Sequence, residues 1–305
     1  MVRVLSDQDI DRVPFEVVLN AVKNHVLADF RRETISPPRH VVEFGDGGLV
    51  FTVGGTTGIA GFRAYETFQK PALENEDQLI AVWDRATRRL SGIAIGERLG
   101  ALRTGALGGA AIDRMAPAKV RKLAVVGTGL QAETQLIAAV SVRGFSEIVV
   151  FARGRENAEA FAARMSASLG APIGLADGAE IAMKDADIVI LATNSSTPVI
   201  EPGWLKPGAH VNTLGPKKKS AHELPLEIAA GAALIASDSP QQIAAMGADH
   251  VLHGHPAARR IMHLGDPKVL EEREQGLSLF LSAGLAGSEV AALAAVLKYL
   301  DGAST

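Results

Sequence analysis

Gly127-Thr128-Gly129-Leu130-Gln131-Ala132 is the segment with the plainest chemical consequence. It follows a short β-branched run, Leu123 to Val126, and precedes an alanine-rich stretch, Leu130 to Val142. A glycine at a strand end permits a tight turn, and a second lets backbone N–H groups approach an anion. Those N–H groups open a helix, whose N-terminus favours negative charge. Ala132 stands where a third glycine is usual and is small enough for close helix–strand packing. The pattern predicts that Gly127, Thr128, Gly129, Leu130 and Gln131 hold the pyrophosphate of a dinucleotide.

The next β-type segment decides which dinucleotide. Its end reads Ala152-Arg153-Gly154-Arg155, without the Asp or Glu that would hold the ribose hydroxyls of NAD. Guanidinium groups give charge-assisted bonds to a phosphate, so NADP(H) is expected in preference to NAD(H), with Arg153 and Arg155 on its 2′-phosphate. Thr193, Asn194 and Ser195 end a further strand-like run, where open α/β sheets bind ligands. They could line the cofactor or cap the following helix. Lys217-Lys218-Lys219 fits either a solvated loop or a lysine drawn into a site. His250, His253 and His255 lie close together, but only Asp249 adds a carboxylate, so no metal is expected.

These residues need a frame, and the pattern around them supplies one. LAVVG (123–127), EIVVFA (147–152), ADIVILAT (186–193), HVNTLG (210–215) and ALIASD (233–238) are short apolar runs separated by helical ones. Near-continuous apolar strands alternating with helices predict a parallel sheet covered on both faces. The first 115 residues or so differ: HVVEFGDGGLVFTVGG and IAGFRAYETF alternate as antiparallel strands do, and Leu99 to Met115 reads as a small-residue helix. The fold class expected is α/β, a doubly wound Rossmann-type NAD(P)-binding domain plus a second α+β domain for substrate and dimerisation. The boundaries expected are 1–116, completed by 288–305, for the α+β domain and 117–287 for the Rossmann domain, with Pro117 as hinge.

Composition narrows the classes. The 305 residues are 47% hydrophobic and 21% charged, which excludes a disordered or collagen-like chain. A net charge of −3 offers no basic excess to neutralise a phosphate backbone, so nucleic acid is not an expected partner. The absence of cysteine removes disulfides, thiolate ligands and thiol catalysis, and fits a cytoplasmic location. Charges interrupt the first residues where a signal peptide needs an apolar core. The long apolar stretch Gly276 to Leu297 is broken by Gly284, Gly287, Ser288 and Glu289, which predicts buried helical segments rather than a membrane span.

Taken together the chain resembles the ornithine cyclodeaminase/mu-crystallin family over nearly its whole length. The likeness rests on PPRH (37–40), GFR (61–63), ALRTGA (101–106), GTGLQA (127–132), ATNSSTP (192–198), HVNTLGPKKKSAHEL (210–224) and LFLSAGLAGSEVAALA (279–294). RTGA followed by GxGxQA is a far more specific pairing than either alone. The resemblance implies an NAD(P)-binding homodimer acting on a small amino or imino acid: a cyclodeaminase, an alanine dehydrogenase or a reductase of cyclic ketimines. Some members are better known as binding proteins.

The resemblance also implies residue roles. Arg39, Arg63 and Arg103 would hold the substrate α-carboxylate, Arg63 standing where the family usually has Lys. Thr104 and Gly215 would border the cofactor. The family commonly reads G-x-D-x-P-x-x-x-E-L beyond the fifth strand; aligning on Gly215 and Glu223 puts Lys217 in place of the Asp. A lysine there repels the side-chain cation of ornithine by about 1 to 4 kcal/mol at ~4 Å, which disfavours ring-closing loss of ammonia. Reduction of a cyclic imino acid is less affected, because a desolvated lysine is a proton donor. Glu289 replaces the usual Asp of G-L-A-x-x-D and is expected to cap the last helix. The leading expectation is an NADPH-dependent reductase of a Δ1-pyrroline-2-carboxylate-type ketimine or an amino-acid dehydrogenase. A cyclodeaminase and a non-catalytic NADPH-binding protein are the rivals.

Overall fold

The computed structural model describes residues 2–68 and 78–303. Its chain divides into two compact units, Met1–Leu107 with Gly284–Thr305, and Gly108–Ala283.

The first unit is built on one sheet. Strands β1 (Arg3–Leu5), β2 (Thr34–Ile35), β3 (His40–Glu43), β4 (Gly48–Thr56), β5 (Ile59–Glu66), β6 (Gln78–Asp84) and β7 (Arg89–Ile95) lie in the order β1-β7-β6-β5-β4-β2, with β3 also on β4. All pairs are antiparallel except β1 with β7. Short helix α1 (Asp7–Ile10) precedes α2 (Phe15–Phe30), which buries Val18, Leu19, Val22 and Val26 at helical spacing. Helix α3 (Arg98–Met115) starts in this unit and runs into the second.

The second unit is a parallel sheet with helices between its strands. In chain order come β8 (Lys122–Val126), α4 (Leu130–Val142), β9 (Glu147–Phe151), α5 (Arg155–Leu169), β10 (Gly174–Leu175), α6 (Ala179–Met183), β11 (Ile188–Leu191) and β12 (His210–Thr213). A small hairpin, β13 (Lys217–Lys218) with β14 (Ala221–His222), leads to α7 (Leu226–Gly231), β15 (Leu234–Ser237), α8 (Pro240–Ala245), β16 (Ile261–His263), α9 (Lys268–Glu272) and β17 (Ser278–Leu281). The strand order is β10-β9-β8-β11-β12-β17-β15-β16, parallel throughout. Two apolar clusters cover its two faces, one around Leu136, Phe161 and Met165 and the other around Met183, Ile228 and Leu252. The mixed α/β class and Rossmann-type sheet are those the sequence predicts.

The apolar stretch 276–297 departs from expectation, because it is not helical throughout. Its first part is the buried strand β17, paired between β12 and β15. Gly284 and Gly287, at φ +86° and +81°, turn the chain before α10 (Ser288–Gly302), which belongs to the first unit. Three apolar residues in a row, Leu279 to Leu281, fit a fully buried strand as well as a helix, and the glycines, not the apolar run, set the helix start. Among the described residues no helix is long and apolar enough to cross a membrane.

Candidate substrate and cofactor sites

Two constellations emerge, one in each unit. In the first, β5 carries Arg63, α3 carries Arg103, and Arg39 precedes β3. Gly284 brings two of these together: a Cβ there would stand 3.3 Å from Arg39 Nη2 and 3.7 Å from Arg103 Nη1. Its left-handed φ suits glycine, and Gly284 itself places no side chain beside the two guanidinium groups. Arg103 is buried and donates through Nη2 to Glu289 Oε1, in an ion pair with a carboxylate only 1% exposed. Arg63 is fixed at three sides. Its Nε and Nη2 donate to Gln78 Oε1 at 3.0 and 2.8 Å, its Nη1 to Glu289 Oε1 at 3.4 Å, and its guanidinium lies 4.1 Å from the Tyr65 ring centre. Thr104, one residue on from Arg103, donates its hydroxyl to Gly100 O at 3.0 Å.

Glu289 sits in the first turn of α10, where a carboxylate complements the helix dipole, but it is not the cap: Gly287 is the N-cap residue, without a side-chain cap hydrogen bond. Burial works to raise its pKa, but Arg103 and then Arg63 outweigh that and hold it below the ordinary glutamate value. His25 of α2 packs nearby, its Nε2 donating to Ala286 O at 3.1 Å, and burial lowers its pKa. Neither Gln78 nor His25 carries any motif signal.

The second constellation lies at the carboxyl ends of β8, β9, β11 and β12. Gly127 turns at φ +119°, and any Cβ there would collide with Ala192 O. Gly129 caps α4 and has nothing within 4 Å of a Cβ position, so its bareness is not explained by packing inside the protein. Gln131 Oε1 is buried without a hydrogen-bond partner among the described residues. An open cradle at a helix N-terminus fits a bound dinucleotide pyrophosphate, whereas Gln131 Oε1 is an acceptor and calls for a donor such as a hydroxyl rather than a phosphate oxygen. Thr128 is half-buried in the same turn.

Beyond β9, Arg153 is exposed, and Arg155 donates to Glu159 at 2.8 Å and to Asp177. Thr193 is held through its N–H (2.9 Å) and hydroxyl (2.7 Å) by Glu223 Oε2. The other oxygen of Glu223 accepts from Thr213 Oγ1 at 2.7 Å, Leu214 N at 3.0 Å and Gly215 N at 2.5 Å. Glu223 is fully buried and thus ties the ends of β11 and β12 together. Ser195 bonds within its own turn, donating to Thr197 O at 2.7 Å, and Asn194 beside it is exposed.

Lys217 is half-buried and turns its Nζ back to Gly215 O at 2.9 Å, whereas Lys218 and Lys219 are exposed. The lysine run is therefore a hairpin with one lysine directed to the strand end. Its partner segment includes His250, whose backbone bridges to Lys218 and whose Nδ1 accepts from Leu252 N at 3.2 Å. His255 Nδ1 likewise accepts from Ala257 N, so these histidines close turns. Among the described residues no three His, Asp or Glu side chains converge as a metal site.

The chain is similar to known proteins in sequence and in fold. The profile of the ornithine cyclodeaminase/mu-crystallin family matches residues 6–303. The Δ1-pyrroline-2-carboxylate reductase of Bacillus thuringiensis subsp. konkukian is 35% identical over 146 residues, 48% of this chain and 45% of that protein. The ketimine reductase mu-crystallin of Mus musculus is 27% identical over 164 residues, 54% and 51% of the two chains. The chain thus spans about half the length of the curated relatives it matches. The structure of Thermococcus litoralis Δ1-pyrroline-2-carboxylate reductase in complex with NADH and L-proline superposes with a TM-score of 0.87 at 24% identity, covering 100% of this chain and 99% of that one.

Proposed function

The chain belongs to the ornithine cyclodeaminase/mu-crystallin family, and from that premise we propose that it is an NADPH-dependent reductase of a small cyclic imino acid of the Δ1-pyrroline-2-carboxylate type. The observation that carries this reading is the cradle at Gly284, where Arg39 and Arg103 present guanidinium nitrogens to one point as a carboxylate requires. Relatives named for this activity support it.

In this reading the first unit, expected at 1–116 with 288–305, forms the substrate and dimerisation domain and the second, expected at 117–287, the cofactor domain. A nicotinamide held there would supply the hydride that reduces the imine. The 127–131 turn holds the pyrophosphate, with Thr193, Asn194, Ser195, Gly215 and Thr104 bordering the cofactor. Arg153 takes the 2′-phosphate, assisted by Arg155 once Glu159 and Asp177 yield it. Arg39 and Arg103 seat the substrate carboxylate and Arg63 braces them. Lys217 delivers a proton to the ring nitrogen, so that C=N gains one hydride and one proton and becomes the amine. The cationic Lys217 disfavours ornithine as substrate.

The protein works as a homodimer in the cytoplasm. The first unit leaves Ile35, Val41, Val42, Phe44, Val53 and Ile95 exposed, apolar side chains that a second copy could cover. Light scattering of the purified chain is expected to give twice the monomer mass of 31.9 kDa; a monomer contradicts the dimer.

The activity is tested by following oxidation of NADPH with Δ1-pyrroline-2-carboxylate and, separately, ammonia release from ornithine. Reduction without ammonia release is the expected result.

A further inference from the structure

Glu289 has surroundings that go beyond carboxylate recognition itself, and a role for it rests on the clamp proposed for Arg39 and Arg103. It is the second residue of α10 and is almost wholly buried. One oxygen, Oε1, receives both Arg103 Nη2 and Arg63 Nη1. Ser288 Oγ lies 3.4 Å from the other oxygen, Oε2, but its hydroxyl donates to the nearer Leu285 O at 2.6 Å. Burial alone would favour the neutral acid, but the two arginines keep the carboxyl ionised at neutral pH.

Arg103 is divided between two directions. Its Nη2 is committed to Glu289, and its Nη1 faces Gly284 beside Arg39 Nη2. A planar guanidinium fixes these two directions relative to one another, so whatever holds Nη2 also aims Nη1. Gln78 does the same for the far edge of Arg63, leaving Nη1 for the glutamate. Without a resident anion, Arg39, Arg63 and Arg103 would bring three like charges into one partly buried region. With Glu289 ionised, that surplus falls by one before any substrate arrives.

We propose that Glu289 is a positioning residue for the substrate: its bridging oxygen neutralises one arginine charge and turns Arg103 so that Nη1 and Arg39 Nη2 form a preformed seat for a single carboxylate. Such a seat needs no rearrangement on binding, and the effect appears in substrate affinity rather than in hydride transfer or cofactor binding.

The test compares the full-length protein with Glu289→Gln and Glu289→Asp. Calorimetry measures binding of pyrrole-2-carboxylate, a planar carboxylate that is not reduced, with NADPH present, and steady-state kinetics follow the imino acid. Glutamine keeps the size and one carbonyl oxygen to lie under both arginines but removes the negative charge that neutralises them. It is expected to weaken pyrrole-2-carboxylate about tenfold or more and to raise KM to match, with kcat changed by less than about threefold and NADPH affinity unaltered. Aspartate keeps the charge but is one methylene short of reaching both arginines, and a loss of about threefold is expected. A merely structural role would lower the unfolding temperature and leave KM unchanged. If the glutamine variant does not fold, the aspartate variant carries the test. Unchanged affinity in a folded variant overturns the positioning role alone; failure of the unsubstituted protein to bind pyrrole-2-carboxylate overturns the clamp and the positioning role with it.

Discussion

Arg103 splits its guanidinium between a buried glutamate and the space beside Gly284, which makes it more sensitive to substitution than its charge alone implies. Lysine at this position keeps the charge and loses the fork, so it cannot serve both directions. Arg103→Lys is expected to raise the KM for the imino acid by about ten- to a hundredfold, with a smaller change in kcat. Steady-state kinetics at saturating NADPH measure this, and an unchanged KM contradicts it. At the cofactor, Arg153 is exposed while Arg155 is engaged by Glu159 and Asp177. Arg153→Ala should therefore raise the KM for NADPH about tenfold and leave that for NADH alone, and Arg155→Ala should do so less. Equal effects on both cofactors would argue against a 2′-phosphate ligand. Arg39 and Arg103 are legible because short motifs surround them. The bonding of Gln78 and Glu223 is not, because their partners are atoms on other strands and spacing within one segment says nothing about them.

At the scale of elements, Glu223 shows how one side chain can organise two strand ends. It accepts from Thr193, Thr213, Leu214 and Gly215, all through backbone N–H groups or hydroxyls. Glu223→Gln would face N–H groups with an N–H₂ and strand at least one buried donor. A loss of about 2 to 4 kcal/mol in unfolding free energy is expected, along with weaker NADPH binding. Urea denaturation checks the first and fluorescence titration the second; full stability would show the carboxylate to be dispensable. The alternation is readable at β8, α4, β9, β11 and β12, and α4 spans the same 130–142 that the alanine-rich pattern predicts, whereas the short β10 and α6 are not predicted. Strand β17 is harder to read, because SLFL leads into further apolar residues and its place between β12 and β15 is set by pairing across the sheet. Helix α2 and the β6–β7 hairpin carry regular patterns too, but no chemistry-bearing motif draws attention to them.

The whole molecule carries its own pH signature. Burial pushes His210 from 6.5 down to about 4, and burial followed by Lys217 does the same for His250. Unfolded histidines titrate near 6.5, so the unfolded state binds more protons than the folded one in the interval down to about 4. The stability these neutral histidines allow is thus complete above pH 6.5 and falls as the pH drops through that window. The loss is at most about 3 kcal/mol per histidine. Urea unfolding at a series of pH values should show the decline beginning near pH 6, and His210→Asn should flatten part of it. A flat profile across this window would show that these histidines do not report burial.

Hydride transfer to a cyclic imino acid is tested most directly by a single assay. Purified protein is mixed with Δ1-pyrroline-2-carboxylate and NADPH, with NADH in parallel, and loss of the reduced nicotinamide absorbance is followed. Rapid oxidation of NADPH, slower with NADH, with proline as the product, is the predicted result. No oxidation of either cofactor, with ammonia released from ornithine instead, would contradict it.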